Sequence, residues 1–168
     1  MLFSIFAENK SITASGSNQY GAITIDSLES TGLIKLNGTS ITHHINLTGS
    51  LISQNAEIGS LEVMGEANLT GTTVQEASSI IGSLQATRSN FKKALTILTQ
   101  KALFTASKLE GVTVQKDGAC KGKQIIELRQ GTIVNGPIHF ESGKGEVIVS
   151  SGSQILGEVV GGKVIKKS

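Results

Sequence analysis

Glycine recurs in the first half of this chain at a step that few folds can accommodate. Residues 46–86 read NLTGSLISQNAEIGSLEVMGEANLTGTTVQEASSIIGSLQA, and a Gly-Ser-Leu phrase returns through them as NLTGSL, AEIGSL, NLTGTTV and SIIGSL. Gly38, Gly49, Gly59, Gly71 and Gly82 follow one another at sequence steps of 11, 10, 12 and 11. Taken two at a time the steps are 21, 22 and 23. The C-terminal third lacks the phrase but repeats the long step: Gly131 to Gly152 and Gly136 to Gly157 are both steps of 21. A period in this range is the mark of stacked repeats, in which each unit buries its apolar face only against its neighbours.

Between the glycines the apolar residues alternate with polar ones. Leu47, Leu51, Ile58, Leu61, Val63, Leu69, Val74, Leu84 and Ala86 follow this rule, as do Val112 with Val114 and Val147 with Val149. Short period-two runs broken by Gly, Ser, Asn and Thr predict short strands joined by bends. Strands so short are unstable as isolated hairpins and need many stacked copies. The expected fold is all-β, a single-stranded β-helix (β-solenoid) with about 22 residues per coil, built from two similar halves. One domain covers residues 1–168, in about seven coils and roughly 35 Å of rod. The glycines then mark corners that need positive φ or close backbone approach.

Four stretches depart from the pattern. Residues 1–10 open with MLFSIF and predict an apolar N-terminal cap or tail, too short for a signal peptide. Residues 115–124, QKDGACKGKQ, predict a loop, and residues 163–168 a basic tail. Residues 90–108 have helical spacing at Phe91, Ala94, Leu95, Leu98, Ala102 and Leu103. A shift of eleven positions, however, sets Ile80 on Phe91, Leu84 on Leu95 and Ala86 on Ile97. Ile97, Thr96, Thr99, Phe104 and Thr105 favour strand.

The chemistry of the chain is sparse. With 15 basic and 13 acidic residues the net charge is +2, which gives no reason to expect a nucleic-acid partner. Lys116, Lys121 and Lys123 read as a solvated loop, and Lys163, Lys166 and Lys167 as a solubilising tail. No aromatics interleave with them to stack bases. The single Cys120 forbids an intrachain disulfide and has no catalytic partner in sequence. His43 and His44 are adjacent, so strand alternation would send them to opposite faces. The spacing of 11 and 22 fails the rule of six that hexapeptide acyltransferases obey. Calcium-roll, phosphate-loop and His/Cys metal motifs are absent. No catalytic residue, metal ligand or cofactor is expected. The strongest enzyme candidates, His139 and Glu141, have only a place in a strand-like run.

The IVNGPIHFESGKGEVIVSSGSQILGEVVGGKVI stretch and the glycine-punctuated units before it resemble the bactofilins, bacterial polymer-forming β-helix proteins. The Gly-Ser-Leu repeats are also similar to those of bacterial right-handed β-helix proteins. The resemblance covers most of the chain and implies a right-handed solenoid without enzymatic activity, a self-associating scaffold. It implies a bacterial cytoplasmic or membrane-associated location rather than a periplasmic or secreted one. Contact elements would be Leu2, Phe3, Ile5 and Phe6, for self-association or a membrane, and ILGEVVGGKVIKK at the other end. The alternatives are a secreted or envelope module binding through a flat Ser/Thr-rich face, and a β-helix enzyme acting on polysaccharide.

Overall fold

The computed structural model describes residues 10–116, 118, 122–150 and 152–167. They form no helix; the chain is a parallel β-solenoid of about nine turns. At about 4.8 Å per turn the rod is roughly 43 Å long. Each complete turn has three sides, A, B and C, separated by bends. Strand β1 (Ser11–Tyr20) covers sides B and C of the first turn. Strands β2 (Thr24–Asn37), β3 (Ser40–Gln54) and β4 (Glu57–Thr70) each run a whole turn through the bends, and β5 (Thr73–Val74) with β6 (Ser78–Thr87) makes the fifth.

Later turns break into one strand per side. They are β7 (Asn90–Phe91), β8 (Leu95–Leu98) and β9 (Lys101–Thr105), then β10 (Lys108–Leu109), β11 (Val112–Val114) and β12 (Gln124–Arg129). The last two turns are β13 (Ile133–Val134), β14 (Ile138–Phe140) and β15 (Gly145–Val149), then β16 (Gln154–Ile155), β17 (Val159–Val160) and β18 (Gly162–Lys166). Residues 90–108 thus form short strands, β7 to β10, with bends between them. Of the expected loop 115–124, residues 117 and 119–121 lie outside the described residues, and Gln124 is a buried residue that opens β12. The expected basic tail is largely β18.

Pairing corrects the period. Leu28 stacks on Ile45, Ile45 on Leu61 and Ile80 on Ile97, at sequence steps of 17, 16 and 17. Leu84 pairs with Ala102 and Ala86 with Phe104, a step of 18, so the equivalences drawn above from a shift of eleven do not hold. The expected coil of 22, repeated about seven times, gives way to turns roughly 17 residues apart and about nine of them. The reason is geometric. A step of eleven spans two of the three sides, not half a turn. Gly38 therefore sits at the C–A bend, Gly49 at B–C, Gly59 at A–B, Gly71 at C–A again and Gly82 at B–C again. The step of 21 in the C-terminal third is instead one lengthened turn, since Val134 pairs with Ile155 and Ile138 with Val159.

The interior is a set of stacked columns. On side A the column is Ile25, Ile41, Ile58, Val74, Phe91, Leu109, Val134 and Ile155. All but the last are buried, and each fully buried aliphatic of this size contributes about 1.5–3 kcal/mol. Side C balances volume between turns: Ala67, Leu84, Ala102 and Ile126 alternate small with large, and Ala86 lies beside Phe104. Phe91 meets Phe104 edge to face at 6.3 Å between ring centres.

Two bends have distinct solutions. At the B–C bend of the first five turns stand Gly16, Gly32, Gly49, Gly65 and Gly82, stacked in register. A Cβ on Gly65 would lie 2.0 Å from the Gly49 carbonyl oxygen, and φ there is +137°. Only glycine fits, and the close approach lets the long strands bend without losing their hydrogen-bond ladder.

At the C–A bend the chain turns through left-handed residues Gly38, Asn55, Gly71, Arg88, Ala106 and Gln130. Just past these bends are the buried hydroxyls of Thr39, Thr72, Ser89, Ser107 and Thr132. Thr72 N–H donates to Ser89 Oγ (3.3 Å), Ser89 N–H to Ser107 Oγ (3.1 Å) and Ser107 N–H to Thr132 Oγ1 (3.2 Å). Thr132 N–H continues the series to Ser153 Oγ at 3.2 Å. The hydroxyls of Thr72, Ser89, Ser107 and Thr132 donate in turn to the carbonyls of Thr70, Thr87, Thr105 and Arg129. A polar spine thus runs through the core with its groups satisfied, as burial requires.

Candidate functional site

A β-solenoid has two ends, and β16, β17 and β18 form the last described turn toward the C-terminal one. Strands β16, β17 and β18 pair with β13, β14 and β15 on one edge only. Ile155, Val159 and Val164 continue the interior columns of sides A, B and C onto this last turn. No later described turn covers them, and Val164 is 45% exposed. Leu156, Val160 and Ile165 are exposed around them. The end is a concavity of about 520 Å³ lined by Val149, Ile155, Val159 and Val164, with Lys166 at its margin. Unpaired strand edge and exposed core together form a surface that a further strand layer would complete.

The expected contact residues at the other end, Leu2, Phe3, Ile5 and Phe6, lie outside the described residues, as does Cys120. Described structure begins at Lys10, whose carbonyl accepts the Asp26 N–H at 2.9 Å. The repeat glycines are divided among the bends. Gly38, Gly49, Gly71, Gly82, Gly131 and Gly152 have positive φ. Gly59, Gly136 and Gly157 have not; a Cβ on each would fall 2.1–2.2 Å from the backbone of an earlier turn, at His43, Glu110 and Gly136 respectively.

The histidines are arranged differently from simple strand alternation. The third turn carries one extra residue between Ile41 and His44, a β-bulge at the A–B bend. Both imidazoles reach back to the preceding turn. His43 Nδ1 bonds the Asp26 carboxylate, and His44 Nδ1 lies 3.2 Å from Ser27 Oγ. The histidine at the serine is not the one at the aspartate, so the four groups do not form a nucleophile–base–orienter relay. His139 is exposed between Thr113 and Val160. Glu141 accepts the Lys116 N–H at 3.2 Å and makes no contact with His139 among the described hydrogen bonds. Among the described residues no three His, Cys, Asp or Glu side chains are placed to hold a metal ion.

Charge is distributed along the rod in a way that the net value hides. Residues 1–84 carry two basic and seven acidic side chains; residues 85–168 carry thirteen and six. The halves are thus −5 and +7. On side C of the basic half, Glu127 is 8% exposed and receives Arg129 Nε at 2.7 Å and Lys101 Nζ at 3.3 Å. Burial alone would raise its pKa, but the hydrogen bonds and charges of Arg129 and Lys101 outweigh it and hold the carboxyl below its ordinary value.

No family model, curated protein or solved structure matches the chain.

Proposed function

We propose that this protein is a non-enzymatic structural β-solenoid that assembles with copies of itself through its ends, as its resemblance to the bactofilins suggests. The observation supporting this reading is the C-terminal end. There an unpaired strand layer and the apolar residues Ile155, Val159 and Val164 lie together at the surface. A second copy placed on that end supplies hydrogen-bond partners and covers the apolar layer in one step. The strongest rival among the described residues is weak: the Asp26, Ser27, His43 and His44 groups are paired off without a common reaction centre.

Sedimentation and light scattering across a wide concentration range test this. The native protein is expected to form oligomers that grow with concentration. Val164→Glu, which puts a charge on the exposed end layer, is expected to abolish them while leaving the far-ultraviolet spectrum unchanged. A native protein that stays monomeric at every concentration sinks the proposal.

A further inference from the structure

One lysine from each of the two groups that sequence separates, Lys123 and Lys163, meets Lys144 in the fold. Lys123 ends the segment between β11 and β12, Lys144 precedes β15, and Lys163 is in β18. They come from three successive turns at the B–C bend, because Gln124 pairs with Gly145 and Gly145 with Gly162. All three lysines are exposed. They flank a groove of about 450 Å³ whose lining is completed by Gly122, Gly143, Gly145, Gly162 and Glu146.

The groove has a structural cause. Phe140 turns its ring under this bend. A Cβ on Gly145 would fall 2.1 Å from the ring, and one on Gly162 2.6 Å from it. Glycine is therefore imposed from below, and the surface above is left without side chains. Glu146 is the one carboxylate in the lining, and it pairs with Lys123 at 2.5 Å. Lys144 and Lys163 have no ion pair among the described residues. The groove thus carries three positive charges against one negative, within the half of the chain whose net charge is +7. A concave site surrounded by charge of one sign concentrates ligands of the other.

We infer that this groove binds a compact polyvalent anion of the phosphate class, presented either by a soluble phosphate ester or by a phosphate headgroup. Lysine ammonium groups act as point charges suited to a compact anion, whereas a planar carboxylate is met best by the arginine fork, which is missing from the lining. Among the described residues no aromatic side chain lines the groove, so stacking of a base is not part of the recognition. This inference does not depend on assembly through the ends.

The test is a titration of the full chain with inorganic pyrophosphate at low ionic strength, followed by amide resonances. Shifts are expected at Gly122, Gly143, Gly145 and Gly162. The double variant Lys144→Ala/Lys163→Ala, both exposed positions, should bind at least about tenfold more weakly. Lys166→Ala/Lys167→Ala, outside the lining, should bind as the native chain does. Glu146→Gln should bind more tightly, since it frees Lys123. Sedimentation with phosphatidylcholine vesicles containing phosphatidic acid separates the sources: retention lost in the double variant assigns a headgroup, and pyrophosphate binding without retention assigns a soluble ester. Absence of binding to either probe, or binding that survives the double substitution, overturns the inference.

Discussion

The first five turns and the last four solve the same bend in different ways. In the first five, the B–C bend is a column of stacked glycines, one from each turn, and single strands pass through it. From the sixth turn on, extra residues replace the column: one more between β8 and β9 than in the turn before, residues 115–123 between β11 and β12, and a short turn before β15. The first solution is compact and leaves nothing to vary. The second lets the chain project side chains, and those it projects include Lys123 and Lys144. Regularity and surface chemistry are therefore opposed along this rod, and the lysine groove occurs only where the ladder has stopped.

The largest contrast between the two bends is expected from one methyl group added to each. Gly65→Ala drives a Cβ to 2.0 Å from the Gly49 carbonyl, at a φ that L-residues avoid. A loss of at least about 4 kcal/mol is expected by denaturant unfolding, or failure to fold. Gly143→Ala, at φ +70° with nothing within 4 Å of the new Cβ, should cost only about 1–2 kcal/mol. Equal costs would show that the two bends are not different in kind.

The spine is shared by both regions, so it should respond alike wherever it is cut. Ser107→Ala removes the acceptor of the buried Ser89 N–H and is expected to cost about 1–3 kcal/mol. Thr72→Val should cost a similar amount, since it strips the hydroxyl that bonds Ser53 Oγ at 2.8 Å. A clear inequality between them would locate the weaker region.

Acid distinguishes the regions by a smaller effect. Glu127 has a lowered pKa in the folded state, so its contribution is complete above about pH 4.5 and lost as pH falls through the folded-state value. Glu127→Gln should flatten the acid limb of the stability–pH curve and leave its neutral region less stable. An unchanged acid limb would remove the Lys101–Glu127–Arg129 group from the account. The smallest effect is a gain: Ala106→Gly relieves a left-handed alanine at φ +50° and is expected to stabilise by about 0.5–1 kcal/mol in thermal unfolding.

Much of the fold was legible because a strand one face of which is buried records its alternation in sequence. Leu47, Leu51, Ile58, Leu61, Val63, Leu69, Val74, Leu84 and Ala86 are all buried. The turn length was not legible, because a phrase serving three similar bends repeats at two sides rather than at one turn. Gly49 returns to its own column at Gly82 after two turns, and the glycine steps through Gly59 and Gly71 divide that interval almost evenly into three. The charge separation was hidden by summation: −5 and +7 read as balance. The groove was hidden by distance, since Lys123 and Lys163 meet only through pairings of β12 with β15 and β15 with β18. Its floor is set by Phe140, whose position under Gly145 no linear spacing reveals.

The hydroxyl strip at the C–A bend gives the rod a set of teeth. From Thr72 to Ser153 every step runs the same way, the amide of an earlier turn engaging the hydroxyl of the next. A neighbouring turn displaced by one residue would present Arg88 or Ala106 where a hydroxyl is needed, and a buried N–H would go unmet. Such a column can gain or lose whole turns, as a rack does teeth, but its layers cannot slide. Insertions between β11 and β12 lengthen one turn while the teeth on either side, Ser107 and Thr132, still mesh at 3.2 Å.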